Sequence, residues 1–384
     1  MPFTNQVFGN KLKTLRQSFD NSFDDLFNAT GIALNELQAL ESGNRSPSGD
    51  EVLILSDYFK CEFSWLLDDE AANPDENAVL LLRSAGGALR ASDRHAIAEF
   101  LHLCKSEALL EELLEHRPQY DELKFELRST YLIGQGKDCA NQFRRSHGLP
   151  PNAIIPDIFG WLRKAGLRVF RRALPGSPIS GLFVRHPSAG RCILINFAED
   201  IYRQRFSAAH EVGHALMDEG IPYNVSTRED FVSQKGPELR ANSFATCFLM
   251  PPELLSKLGT PAQWQRPEKL IEAADRLFVS VPAVLSALRR DNIIDEATRR
   301  KIRDMKLRPP EKREPELRGE MTGRQLDRKE ALLASGLHDA YVGSAFEAHR
   351  RGLISMAKMA DMLLVSLQEV SELSDLFAVR HPYD

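Results

Sequence analysis

The sequence predicts a mostly helical α+β protein with one small sheet. Apolar residues recur at helical spacing toward both ends of the chain, whereas strand-like runs are confined to residues 167–196. The composition is that of an ordinary globular protein, with 43% hydrophobic and 27% charged residues. The length of 384 residues suggests two or three domains.

Composition also excludes several classes of protein. A net charge of −5 gives no global attraction to DNA or to anionic lipid, so any nucleic-acid contact must come from a local patch. The five cysteines are scattered without a CxxC pair, which is typical of reduced thiols in the cytoplasm. The N-terminus has no apolar run of a signal peptide, and no stretch approaches the ~20 apolar residues of a membrane span. We therefore expect a cytoplasmic protein.

Breaks in periodicity and composition divide the chain into six segments. They are a helical unit at 8–67, a helical linker region at 68–134, a core at 135–258, a helical extension at 259–305, a charged, solvated linker at 306–325 and a helical tail at 326–384. Glycines at 134 and 136 indicate a further break before the core. Within and after the core, the pattern predicts helices at 140–147, 155–165, 203–217, 238–249 and 268–290, and strands at 167–170, 180–184 and 192–196.

The unit at 8–67 contains two short helices separated by a turn at Thr30-Gly31. Its pattern runs through Gly9, Leu12, Leu15, Arg16, Thr30, Gly31, Ile32, Leu40, Glu41, Ser42, Gly43, Arg45, Pro47, Leu66 and Leu67. In this order the residues resemble the helix-turn-helix domain of Cro/C1-type repressors. In such a domain the second helix, here about 33–41, enters the major groove of DNA.

The charges of this unit argue against strong DNA binding. Residues 9–66 hold five basic and nine acidic residues, a net charge of −4, and the second helix has no Lys or Arg. Because neutralised phosphates supply most non-specific affinity, we expect a poor DNA binder. Asn35 and Gln38 can still read adenine, and Arg45 is the remaining candidate DNA contact. A module used for protein contacts stays an equal alternative.

The strongest chemical signal is an HExxH motif, His210-Glu211-Val212-Gly213-His214. Residues i and i+4 share a helix face, so both imidazoles can bind one metal ion. A catalytic Zn²⁺ site leaves one position for water, and Glu211 is placed to accept a proton from that water. A chance occurrence is the alternative, which the helical spacing of the surrounding apolar residues disfavours. Gly213 would let another element approach this helix closely.

Two histidines need a third ligand, and the best candidate is Glu238 at the start of a second helix. Glutamate is also an ordinary residue of a first helical turn, which is the alternative. Asn242, one turn further on, can orient the Glu238 carboxylate. Asp218 is expected to end the first helix in solvent. The weaker ligand candidates are Asp218, Glu219 and Glu229.

Five separated motifs then occur in order: Ser180-Gly181-Leu182-Phe183, Ile193-Leu194-Ile195-Asn196, the run 205–217 around HExxH, the run 238–245 and Leu249-Met250-Pro251. Together they resemble the ImmA/IrrE family of zinc metallopeptidases over roughly 135–295. The resemblance implies a zincin-like peptidase domain in which His210, His214 and Glu238 bind Zn²⁺, with Mn²⁺ as the alternative, and Glu211 is the base. The family often has a second acid where this chain has Arg240, which leaves Glu238 as the only acid of that motif.

The resemblance also implies a function, because members of this family cleave helix-turn-helix repressors at a specific site. We therefore expect a metalloendopeptidase that cleaves a partner repressor and derepresses stress, DNA-damage, anti-phage or mobile-element genes. DNA is a candidate operator or activating ligand. Substrate would add as a strand to a sheet edge, for which 180–184 or 192–196 are candidates unless they are core strands. The alternative function is a DNA-binding transcriptional regulator with a structural or vestigial metal site.

Other features carry weaker predictions. Tyr202 and Tyr223 are candidates for stabilising the oxyanion, and Cys139 and Cys247 are candidate thiol ligands that would block the metal unless they are core residues. The helical pair at 268–294 is expected to pack on the core. The tail is a candidate docking or homodimer surface.

Overall fold

The computed structural model describes residues 3–84, 89–116, 125, 128–232, 235–303, 312–317 and 322–376. It is mostly helical with one small mixed sheet, so the predicted α+β class is confirmed. The helices before the sheet are α1 (Asn5–Ser18), α2 (Phe23–Thr30), α3 (Leu34–Glu41), α4 (Gly49–Phe59), α5 (Phe63–Leu67), α6 (Glu76–Ser84), α7 (Ala91–Leu113), α8 (Leu132–Ser146) and α9 (Ile158–Lys164). The strands are β1 (Arg168–Arg172), β2 (Ile179–His186), β3 (Gly190–Asn196) and β4 (Tyr223–Thr227). The later helices are α10 (Ile201–Met217), α11 (Gly236–Leu249), α12 (Pro252–Leu258), α13 (Pro267–Leu277), α14 (Val281–Arg290), α15 (Glu296–Arg303), α16 (Gly323–Ala334), α17 (Asp339–Arg350), α18 (Met356–Leu363) and α19 (Leu367–Leu376).

Two compact units make up the chain. The first combines Met1–Arg117, Val184–Cys192 and Asp339–Asp384, and the second combines Pro118–Phe183 and Ile193–His338. The six finer segments stay a prediction. Across the described ranges, no helix has the length and apolarity needed to cross a membrane.

In the first unit, α2 and α3 are joined by a three-residue turn. Gly31 ends α2 in the left-handed conformation, at φ 74°, which glycine adopts without strain. Ser22 and Asp25 form a capping box that satisfies the free N–H groups at the start of α2. The helix, turn, helix geometry follows the predicted pattern, and its use in DNA recognition stays a prediction.

The sheet has the strand order β1-β3-β2-β4. The expectation that 180–184 or 192–196 forms the substrate edge is wrong, because β2 and β3 are inner strands with buried, mainly apolar runs. Edge strand β1 is bridged to Ser335 through Arg172. The sequence pattern missed β4, whose one buried residue is the polar Ser226. Among the described strands, β4 is the edge without such a bridge.

Three helices position the metal site in the second unit. α11 packs against both α8 and α10. The predicted break at 134–136 is wrong, since both glycines lie inside α8. A Cβ on Gly136 would lie 2.4 Å from the carbonyl oxygen of Arg240, so glycine here permits close helix contact rather than a turn. On α10, a Cβ on Gly213 would lie 3.1 Å from Cα of Ala241, which agrees with the predicted close approach.

The prediction that the linker at 306–325 is solvated is wrong for residues 312–317, one of its two described stretches. Pro315 is buried. Glu314 pairs with Arg171 at 2.8 Å, and Glu316 pairs with Arg163 and Arg171. Buried arginines attract these acids, so the segment packs on the second unit.

Candidate metal centre

His210 and His214 on α10 and Glu238 in the first turn of α11 form one cluster. One ligand atom from each residue lies within 4.8 Å of the others. The two Nε2 atoms are 3.0 Å apart, and the Glu238 carboxylate lies 3.0 Å from Nε2 of His210 and 3.4 Å from Nε2 of His214. The HExxH spacing places both rings on one helix face, and the close contact of α10 and α11 brings the carboxylate to them.

The hydrogen bonds behind the rings fix where the imidazole protons lie. Nδ1 of His210 faces Oδ1 of Asn242 at 3.0 Å, while the amide nitrogen of Asn242 donates to the carbonyl oxygen of Asp230. Nδ1 of His214 lies 2.5 Å from a carboxylate oxygen of Asp218. Both partners are acceptors, so both Nδ1 atoms donate and both Nε2 atoms face the cluster, where a metal ion that replaces any Nε2 proton would meet two lone pairs.

The cluster therefore brings together three acceptors that need a cation. Two imidazole lone pairs and a carboxylate converge at 3.0–3.4 Å. A proton satisfies one pair of acceptors, whereas a divalent metal ion satisfies all three. Two nitrogens and one oxygen are also the donor set of a catalytic zinc site with one position open. These residues fit a bound metal ion.

The electrostatics of the ligands agree with this. Burial opposes ionisation of Glu238, but hydrogen bonds to the two imidazoles lower its pKa to about 2. Burial also opposes protonation of His214, yet Asp218 and Glu238 raise its pKa to about 10. The surroundings of the cluster thus stabilise a cation, either a proton or a metal ion, bound between Glu238 and the two imidazoles.

Glu211 lies beside the cluster in a different environment. It is fully buried, and neither carboxylate oxygen has a hydrogen-bond partner of ordinary geometry among the described residues. Burial raises the pKa of Glu211 to about 7, against the opposing influence of His214 and of Ser226 on β4. A Cβ on Gly181 of β2 would lie 3.0 Å from Cγ of Glu211, so this glycine provides the space that the side chain occupies. A buried carboxylate without a partner is costly and typical of a functional group.

Among the described residues, Glu238 is the most exposed member of the cluster. Its side chain is 22% exposed, whereas both histidine side chains are buried. The ring of Phe231 lies edge-on to His210 at 4.7 Å and covers it. Within the described part of the chain, solvent therefore reaches the cluster at Glu238.

Asp218 is the functional residue that the sequence pattern misplaced. It caps the end of α10, as predicted, but the expectation that it lies in solvent is wrong, because it is buried and contacts both His214 and Arg240. Its i+4 spacing from His214 was the available signal. Asn242 contacts the His210 ring, whereas the prediction had it orient the Glu238 carboxylate. The remaining acidic candidates, Glu219 and Glu229, are exposed.

The candidate thiols lie in the core of the second unit, and the candidate tyrosines lie on α10 and β4. Cys139 and Cys247 are buried in the core of the second unit, and burial raises the pKa of both thiols. Among the described residues, neither belongs to the metal-ligating cluster. Burial raises the pKa of Tyr202, and its charged neighbours Asp275 and Asp200 act in the same direction. Tyr223 begins β4.

The candidate DNA contacts lie in the first unit. Asn35 and Gln38 are exposed on α3. Arg45 forms ion pairs with Glu36 and Glu51, the latter at 2.5 Å. Its charge is thus neutralised within the protein.

A buried HExxH helix facing a carboxylate from a second helix defines the class of candidate metallopeptidases. Within that class, residues 162–289 match the family model described as the IrrE N-terminal-like domain, of the M78 peptidases. The match contains α10 and α11 and lies within the region that resembles ImmA/IrrE, and it does not extend to the first 161 residues. No curated protein matches the chain.

Proposed function

We propose that this protein is a zinc-dependent endopeptidase that cleaves a partner helix-turn-helix repressor and so derepresses stress or mobile-element genes. The observation that carries the peptidase proposal is the pairing of three converging ligands with a buried, unpartnered Glu211 beside them. A structural metal site does not need such a carboxylate. The similarity of residues 162–289 to a peptidase family supports the same conclusion.

The reaction uses the residues as follows. When bound, the metal ion supplies Lewis acidity to a water molecule and to the scissile carbonyl. Glu211 accepts the proton of the attacking water and delivers it to the leaving amine. Burial, which opposes the ionised form of Glu211, favours its uptake of this proton. Asn242 and Asp218 hold the two imidazoles with their Nε2 atoms toward the cluster.

Substrate binding is assigned to β4. This edge strand contacts α10, and its Ser226 lies close enough to Glu211 to influence the carboxylate. An extended peptide that pairs with β4 would present its backbone carbonyl beside the cluster. Edge pairing uses backbone groups and therefore requires an extended segment of the substrate.

The first unit is assigned to protein contact rather than to DNA. In α1–α5, Arg16 pairs with Glu41, Arg45 with Glu36 and Glu51, and Lys60 with Asp57. Lys11 donates to two backbone carbonyls, which leaves Lys13 as the one cation of these helices with no described partner. DNA binding needs several free cations to neutralise phosphates. An acidic surface is suited to the basic surface of a DNA-binding repressor.

The test incubates the full-length protein with Zn²⁺ or Mn²⁺ and with a helix-turn-helix repressor encoded beside its gene. New N-termini are identified by mass spectrometry. We expect one dominant cleavage that a chelator abolishes. The substitution Glu211→Gln should lower the cleavage rate about 10²–10⁴-fold, because a general acid–base group contributes that much.

Equal cleavage by Glu211→Gln would contradict the assigned mechanism. A parent protein that cleaves neither the repressor nor a proteome-derived peptide library would contradict the peptidase proposal. Tight, salt-sensitive and sequence-specific operator binding without proteolysis would favour the DNA-binding regulator instead.

A further inference from the structure

We infer that Arg240 is a positioning residue for the metal site, which holds His214 in its ligating orientation through Asp218. The inference rests on the proposed metal-binding role of the cluster. Arg240 lies on α11, two residues after Glu238, and among the described residues its guanidinium bonds to Asp218 and Gln135 and to no ligand of the cluster. Its action is therefore indirect.

A single carboxylate links the arginine to the imidazole. Oδ1 of Asp218 accepts from Nη2 of Arg240, and Oδ2 of Asp218 accepts from Nδ1 of His214. The Asp218 side chain is only 5% exposed, so water cannot replace either partner fully. The other side of the guanidinium is held by α8, where Oε1 of Gln135 accepts from Nη1 at 3.4 Å.

Charge explains why the arginine is needed. A buried carboxylate with a neutral imidazole as its one partner keeps an uncompensated charge, which is strongly unfavourable. The guanidinium compensates this charge and fixes the carboxylate plane. The carboxylate can then hold the Nδ1 proton of His214 and keep Nε2 as a lone pair for the metal. Without Arg240, Asp218 is expected to turn toward solvent or to bind a proton, and His214 loses its fixed orientation.

α11 thereby controls every ligand of the cluster. It supplies Glu238 directly, and its Asn242 contacts Nδ1 of His210. Arg240 performs the corresponding task for His214 through Asp218. The positions 238, 240 and 242 thus set the third ligand and the orientation of both imidazoles.

The test compares Arg240→Met with the parent protein in two measurements. The first is the Zn²⁺ dissociation constant by competition with a chromophoric chelator. We expect a rise of about 10–100-fold, the usual effect of losing a group that orients a ligand. The second is the ¹⁵N spectrum of the histidines in Zn²⁺-loaded protein, in which the metal ion occupies Nε2 of each ring. We expect the Nδ1–H proton of His214 to exchange faster with water in the variant than in the parent, while that of His210 is unchanged.

Matched variants separate positioning from general damage. Arg290→Met removes an arginine of equal exposure, 16% against 17%, from the ion pair with Asp291, and should leave the Zn²⁺ dissociation constant unchanged. Asn242→Ala should disturb His210 and spare His214. Arg240→Lys keeps the charge and should restore most of the affinity.

If thermal melting shows that Arg240→Met is unfolded, the same two measurements are made on Arg240→Gln. This substitution removes the charge and keeps a hydrogen-bond donor. An unchanged Zn²⁺ dissociation constant and an unchanged His214 spectrum in a folded variant would overturn the inference. Both readouts are independent of proteolysis. Failure of the peptidase proposal is therefore distinguishable from failure of this one.

Discussion

Two helix pairs differ in whether their polar groups have partners. These are α10 with α11, which carries the metal-ligand cluster, and α2 with α3, the predicted helix-turn-helix. Between α10 and α11, three acceptors converge, and the Glu211 oxygens have no hydrogen-bond partner of ordinary geometry among the described residues. Around α3, Arg45 and Arg16 are neutralised by acids of the same unit. Unsatisfied polar groups are costly unless a ligand or a reaction uses them. The first pair is thus prepared for chemistry, whereas the second has little free charge with which to bind DNA.

The largest expected effect on the α10–α11 side of the comparison is the loss of peptide-cleavage rate in Gly181→Ala. The added Cβ would lie 3.0 Å from Cγ and 3.1 Å from Oε1 of Glu211, so the carboxylate must move. Contacts this close require a shift of a few tenths of an ångström, whereas a displacement of about 1 Å in a catalytic group costs about 10²-fold in rate. We therefore expect kcat for peptide cleavage to fall about 10-fold while Zn²⁺ affinity stays unchanged.

Gly343→Ala is the matched control for Gly181→Ala. Gly343 lies in α17, and a Cβ there meets no atom within 4 Å. Unchanged kcat in this control and in Gly181→Ala alike would show that the position of Glu211 does not limit the reaction.

A smaller effect tests the α2–α3 side of the comparison. The double substitution Glu36→Gln and Glu51→Gln releases Arg45 from both ion pairs. We expect the full-length parent to bind a 30-base-pair duplex only in the non-specific range, with Kd above about 10⁻⁶ M at physiological salt. The double variant should bind several-fold more tightly, and its salt dependence should steepen by about one released counterion.

Fluorescence anisotropy over a salt series measures both quantities. Glu347→Gln, which removes the acid paired with Arg350 at the end of α17 and with Arg351 after it, controls for the general effect of losing an acidic partner. Nanomolar, sequence-specific binding by the parent would remove the contrast between the two helix pairs.

Sequence alone predicted what depends on local spacing. His210, Glu211 and His214 share one helix, so their relation follows from helical periodicity. The strands β1, β2 and β3 were predicted from apolar runs, with small shifts of their ends. Glu238 lies on a different helix, and its choice depended on the resemblance as much as on the pattern.

The residues that sequence misplaced depend on distant partners. Asp218 resembles an exposed helix end until Arg240, 22 positions away in the chain, neutralises it in the core. Glycines inside α8 resemble a break because the contact with α11 that requires them is not local. β4 has no alternating apolar pattern, since its buried residue is Ser226. Non-local packing decided each case.

We propose different roles for the two glutamates: Glu238 binds the metal ion, and Glu211 accepts and donates the proton. One calorimetric Zn²⁺ titration of the parent, Glu211→Gln and Glu238→Gln tests this proposal most directly. We expect one Zn²⁺ ion per chain, bound with similar affinity by the parent and by Glu211→Gln. Glu238→Gln should bind Zn²⁺ at least about 10-fold more weakly. Parent-like binding by Glu238→Gln, or loss of binding in Glu211→Gln, would contradict it.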